Sequence, residues 1–166
     1  MLMAAVYHRD METIECADTE TEGRILAIDF GTVRMGLAIS DALGLTAQGL
    51  ATLVRTNKEE DFRYLGTLAA EYAVARVIVG HPISAAGEET EMSRRVVRFA
   101  EELHERLALP VDLWDERMTS LEADRSLRES NMGGRKRRQA RDRVAAQILL
   151  QSYLDRRAYQ RQETGA

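Results

Sequence analysis

Apolar positions fall in short blocks that switch between two periods. The run RILAID from Arg24 to Asp29 is apolar and β-branched at Ile25 and Ile28, which predicts a buried strand ending in a carboxylate. After Phe30, Gly31 and Thr32, the stretch from Met35 to Ser40 predicts a second strand, and the tight turn makes the two antiparallel neighbours. A third strand is expected around Leu50 to Val54. Asn57, with Glu60 three positions on, predicts a helix start, and Phe62, Leu65, Ala69 and Tyr72 then share one helical face. Arg76 to Gly80 is another apolar strand, followed by a loop through Ser84 to Glu89. Met92, Val96, Phe99, Leu103 and Leu107 mark a second helix, and Pro110 to Trp114 a last strand that runs into Asp115 and Glu116. Thr119 with Glu122 repeats the capping spacing for a third helix, which Gly133 and Gly134 break; a final helix is expected from about Lys136 to Arg157.

The order βββαβαβα predicts an α/β fold with a mixed five-stranded sheet flanked by helices. At 166 residues the chain holds one domain with one core. Six acids against one base, Arg9, make residues 1–23 acidic, so the net charge of −4 leaves the remainder near neutral. Residues 1–23 are expected to be a disordered acidic extension, residues 24–158 the folded domain and residues 159–166 a flexible tail. Within the domain, Arg135, Lys136, Arg137, Arg138, Arg141 and Arg143 crowd around Asp142, predicting a locally basic surface suited to a polyanion. The lone Cys16 excludes an internal disulfide and a multi-cysteine zinc site, and fits a reducing cytoplasm. No apolar run has membrane-spanning length and the acidic start does not read as a secretory signal, so no membrane partner is expected.

Three acids sit where buried elements end: Asp29, Glu116 and Asp142. Asp142 shares a helical face with Ala145, Ala146, Leu149 and Tyr153, which must pack on the sheet. A carboxylate on such a face is costly unless paired or bound to a cation. Its plain structural alternative is an ion pair with Arg117 or Arg138. Convergent carboxylates suit a hard divalent ion such as Mg2+ or Mn2+, and two ions about 4 Å apart can activate water and stabilise the leaving oxygen in phosphodiester hydrolysis. Arg135 and Arg138 are placed to hold phosphates beside Asp142, and Thr32, Arg34 and Arg117 are further candidate substrate contacts. Strand alternation sends Asp115 and Glu116 to opposite sides, so one of the two is expected to ligate.

The segments Asp29-Phe-Gly-Thr-Val-Arg-Met-Gly36, Val79-Gly-His-Pro82, Asp115-Glu-Arg-Met-Thr-Ser120 and Asp142-Arg-Val-Ala-Ala146 together resemble the YqgF/RuvX family. The resemblance runs from about Arg24 to Arg157 and implies a ribonuclease H-like fold related to Holliday junction resolvases. It implies a metal-dependent nuclease maturing the 5′ end of pre-16S ribosomal RNA, with Asp29, Glu116 and Asp142 as acidic triad and Asp115 as a supporting group. The alternatives are a resolvase cutting branched DNA as a homodimer, and a nonenzymatic nucleic-acid-binding module. An ATPase or sugar-kinase reading of the Asp-x-Gly-Thr segment is disfavoured because those enzymes clamp nucleotide between two such domains. The chain departs from the family pattern at His81, where Leu is usual, at Met118-Thr119-Ser120 and in the loop 83–87. His81 is expected to be a solvated loop histidine.

Overall fold

The computed structural model describes residues 23–83, 88–115 and 134–163, with the backbone alone at 134–138. Strands β1 (Arg24–Phe30), β2 (Arg34–Ser40), β3 (Ala47–Gly49) and β4 (Leu53–Val54) come first. Helix α1 (Lys58–Glu71), strand β5 (Val74–His81), helix α2 (Glu91–Leu107), strand β6 (Val111–Asp115) and helix α3 (Gly134–Glu163) follow. The sheet order is β3-β2-β1-β5-β6, with β4 also paired to β2. β1 runs antiparallel to β2 and parallel to β5, and β5 runs parallel to β6. The mixed sheet expected from the sequence is therefore present, with six strands among the described residues where five are expected. The expected third strand splits because Leu50 bonds through its amide to the Leu37 carbonyl, and β3 and β4 pair separately with opposite ends of β2.

Alternation along β1 builds two cores. Leu26 and Ile28 join Met35, Leu37, Ile39, Val77 and Val79 beneath α1 and α2, whereas Ile25 and Ala27 join Ala38 and Ile78 beneath α3. Ala146, Leu149 and Tyr153 of α3 are buried as the periodicity predicts, with Leu150 and Leu154 alongside. Asn57 caps α1 through its side-chain oxygen, which accepts from the Glu60 amide at 3.0 Å. Thr90, which the hydrophobic pattern does not single out, caps α2 by accepting from the Ser93 amide. Gln147 and Gln151 of α3 bond the backbone of Ala47, fixing the helix across the β3 edge. α3 continues to Glu163, past the expected domain boundary at 158. The acidic extension up to residue 22 and the expected helix from Thr119 lie outside the described residues.

Candidate active site

The parity of β1 decides where Asp29 points. Ile25 and Ala27 face α3, so Asp29 stands on that same side of the sheet, near the strand's C-terminal end. Its register partner on β2 is Gly36. A β-carbon at Gly36 would lie 2.0 Å from the Asp142 carbonyl oxygen, so the missing side chain is what lets α3 descend onto the strand pair at this point. Asp142 thereby comes to the face that carries Asp29, half-buried at the sheet end of the helix.

Arg34, on the same face of β2, donates from Nε to Asp142 Oδ2 at 2.6 Å. Arg34, a candidate phosphate contact in the sequence, is thus also the described partner of Asp142, because even-numbered positions of β2 all face α3. Thr32 sits exposed in the β1–β2 turn next to Gly31. A β-carbon at Gly31 would lie 2.3 Å from the Arg34 carbonyl oxygen, so that turn demands glycine for steric reasons alone.

Asp29 and Asp142 offer hard carboxylate oxygens from two rigid elements, the donor class that Mg2+ and Mn2+ take. Among the described residues no group of three or more His, Cys, Asp or Glu side chains converges. Glu116 and Arg117 lie outside the described residues, and for Arg135 and Arg138 only the helical backbone is described.

Asp115 belongs to a different surface. Val111 and Leu113 pack into the α1/α2 core while Trp114 packs under α3, so Asp115 faces away from the Asp29 side. It pairs in register with His81, whose Nε2 lies 2.7 Å from Ser93 Oγ on α2. His81 is thus half-buried at a strand end, not a solvated loop residue, because β5 runs one position further than its apolar run. Burial pushes its pKa down, opposed by the charges of Asp115 and Glu89.

One support of the site escaped the sequence pattern. Arg55 Nε donates to Asp61 Oδ2 at 2.9 Å, its Nη1 reaches the Gly31 carbonyl at 3.2 Å, and its guanidinium lies 4.8 Å from the Phe30 ring centre. Asp61, 2% exposed, also accepts from the Thr56 amide. This buried acid in the first turn of α1 therefore ties the β1–β2 turn to the helix. The one available signal was an acid among exposed acids, Glu59 and Glu60, that lies on the same face as Leu65 and Leu68.

Comparison with known proteins matches residues 23–156 to the RuvX family, described as Holliday junction resolvase. A protein of Koribacter versatilis, "Putative pre-16S rRNA nuclease", is 48% identical over 141 residues, covering 85% of this chain and 92% of its own length. A Syntrophus aciditrophicus protein of the same name is 43% identical over 132 residues, covering 80% and 88%. Among solved structures, Thermus thermophilus RuvC in complex with a Holliday junction substrate is similar with a TM-score of 0.52 and 13% identity, covering 82% of this chain and 96% of that one. That likeness shows a shared fold. No helix among the described residues is long and apolar enough to cross a membrane.

Proposed function

The chain belongs to the RuvX family, and from that premise we propose that it is a nuclease hydrolysing phosphodiester bonds in pre-16S ribosomal RNA, where Asp29, Asp142 and Glu116 hold Mg2+ or Mn2+. The observation that carries the reading is the meeting of Asp29 and Asp142 on one face of the sheet across Gly36. That Asp115 faces the other way supports Glu116 as the ligand from this segment, with Asp115 in a supporting place beside His81.

Asp29 is fixed by a central strand bonded on both sides, and Asp142 by a helix seated on Gly36, so both carboxylates are held before substrate arrives. Arg34 orients the Asp142 carboxylate and offsets its charge. A divalent ion held by Asp29, Asp142 and Glu116 would supply activation of an attacking water and charge stabilisation of the leaving oxygen. Thr32, Arg34, Arg117, Arg135 and Arg138 are the proposed phosphate contacts, Arg34 while its Nε holds Asp142. With 5% aromatic residues, recognition through backbone and shape is favoured over base stacking.

A second reading, cleavage of branched DNA, has its own support in the family description as Holliday junction resolvase; symmetric cutting would then require a homodimer placing two such sites about a two-fold axis. The test incubates purified chain, Asp29→Asn and Asp142→Asn with Mg2+ or Mn2+ against a 16S-precursor leader RNA and a four-way DNA junction. Metal-dependent cutting of the RNA, lost in both variants while their circular dichroism is unchanged, is the expected result. Symmetric cutting of the junction alone would replace it by the resolvase reading. RNA cutting retained in both variants would remove the carboxylates from the chemistry.

A further inference from the structure

At the far end of α3 an open groove is lined by Gly23, Ile25, Leu43, Leu45 and Leu154, with Arg157 and Arg161 also lining it. Arg157 is fifteen residues beyond Asp142, so at the helical rise the groove lies roughly 22 Å along the helix from the candidate active site. Leu43 is 74% exposed and Leu45 57% exposed. These leucines do not sit on a loose loop. The Asp41 carboxylate accepts from the amides of Leu45 at 2.7 Å and Thr46 at 3.1 Å, and Gly44 supplies the left-handed turn at φ +65°. Those two amide bonds hold the Asp41 carboxyl below the usual carboxylate range. A held loop that offers two leucines to water beside two arginines reads as a surface made to be covered.

What reaches it is fixed by chain continuity and charge. Gly23 is both a lining residue and the point where residues 1–22 join the fold. Residues 10–22 hold Asp10, Glu12, Glu15, Asp18, Glu20 and Glu22 with no Lys or Arg, and they intersperse Met11 and Ile14. No acid is among the residues lining the groove. At roughly 3.5 Å per residue, the stretch from Gly23 back to Glu20 and Asp18 can reach at most about 18 Å from its anchor in the groove lining. We propose that the groove is the docking surface for the chain's own acidic N-terminal segment, with its carboxylates on Arg157 and Arg161 and its apolar side chains on Leu43 and Leu45. This inference is independent of the nuclease reading.

Cys16, the one cysteine in the chain, allows a direct test in the full-length protein. A nitroxide attached there is expected to broaden amide resonances of residues 42–46 and 154–161. The broadening is expected to be lost in Arg157→Glu/Arg161→Glu and in 1 M salt. It should return when the charges are exchanged by adding Asp18→Lys/Glu20→Lys. Weak broadening that ignores both charge reversals would overturn the proposal. Broadening only between labelled and isotope-enriched unlabelled molecules would overturn it in favour of a second copy in the groove. Broadening that is absent from the outset, with a salt-dependent affinity for the leader RNA that falls on Arg157→Glu/Arg161→Glu, would overturn it in favour of a phosphate-binding surface.

Discussion

The Asp142 carbonyl rests against the bare α-carbon of Gly36, so closely that a β-carbon there would sit 2.0 Å from the oxygen and 2.7 Å from its carbon. Both contacts are backbone, so no side-chain rotation relieves them. Gly36→Ala is therefore expected to push α3 off the β1–β2 pair, costing about 2–3 kcal/mol as overpacking of a tight contact. Thermal unfolding measures the cost, and calorimetric titration with Mn2+ should show weakened binding in whatever fraction stays folded. Unaltered stability and binding would mean that helix and strand are not seated as described.

The Arg34–Asp142 ion pair joins two partly buried side chains, 29% and 22% exposed, that water still reaches, so its share of stability is modest. Arg34→Ala is expected to lower stability by no more than about 1 kcal/mol. Cleavage should suffer more, by tenfold or greater, because the carboxylate loses its orienting donor. Arg34→Lys keeps the charge but loses the planar Nε donor, and is expected to recover stability better than rate. Equal recovery of both would reduce Arg34 to a surface charge.

The parts of the fold that follow from local periodicity were legible in the chain. Asn57 and the Phe62, Leu65, Ala69 spacing placed α1, and Ala146, Leu149 and Tyr153 placed the buried face of α3. Asp29 and Asp142 stood out because each is an acid adjoining apolar residues that had to be buried. What stayed hidden depends on pairs distant in sequence. The Arg34 partner of Asp142 is 108 positions away, and only strand parity together with the seating of α3 brings them together. The split of β3 from β4 likewise follows from bonding to β2, which no local pattern around Leu50 encodes. The place of His81 is hidden for a related reason: β5 pairs with β6 one residue beyond its apolar run.

Arg55 and Asp61 set a different expectation, since Asp61 is buried and Arg55 is largely covered. Removing the arginine strands a carboxylate that retains the Thr56 amide as one partner. Arg55→Ala should therefore cost about 2–3 kcal/mol, more than the loss of a surface pair. The double variant Arg55→Leu/Asp61→Leu should recover much of that loss, as apolar replacement of a buried pair does. Because Arg55 also holds the Gly31 carbonyl, cleavage should stay impaired in the double variant even where stability returns. Denaturant titration beside a cleavage assay separates the two effects.

His81 carries a pH dependence whose sign is set by burial. Desolvation lowers its folded pKa beneath the unfolded value of about 6.5, outweighing the pull of Asp115 and Glu89. Between the folded and unfolded values the unfolded chain binds more protons, so stability rises with pH there. The contribution is thus complete above pH about 6.5 and is lost as pH falls toward the folded pKa. Carbon-bound imidazole resonances should titrate with a midpoint below 6.5. His81→Leu removes the titrating group while keeping an apolar body against α2, so its melting temperature should fall less between pH 7 and pH 5 than that of the unaltered protein. A midpoint above 6.5 would show instead that the carboxylates of Asp115 and Glu89 dominate, in which case acidification would strengthen this end of β5.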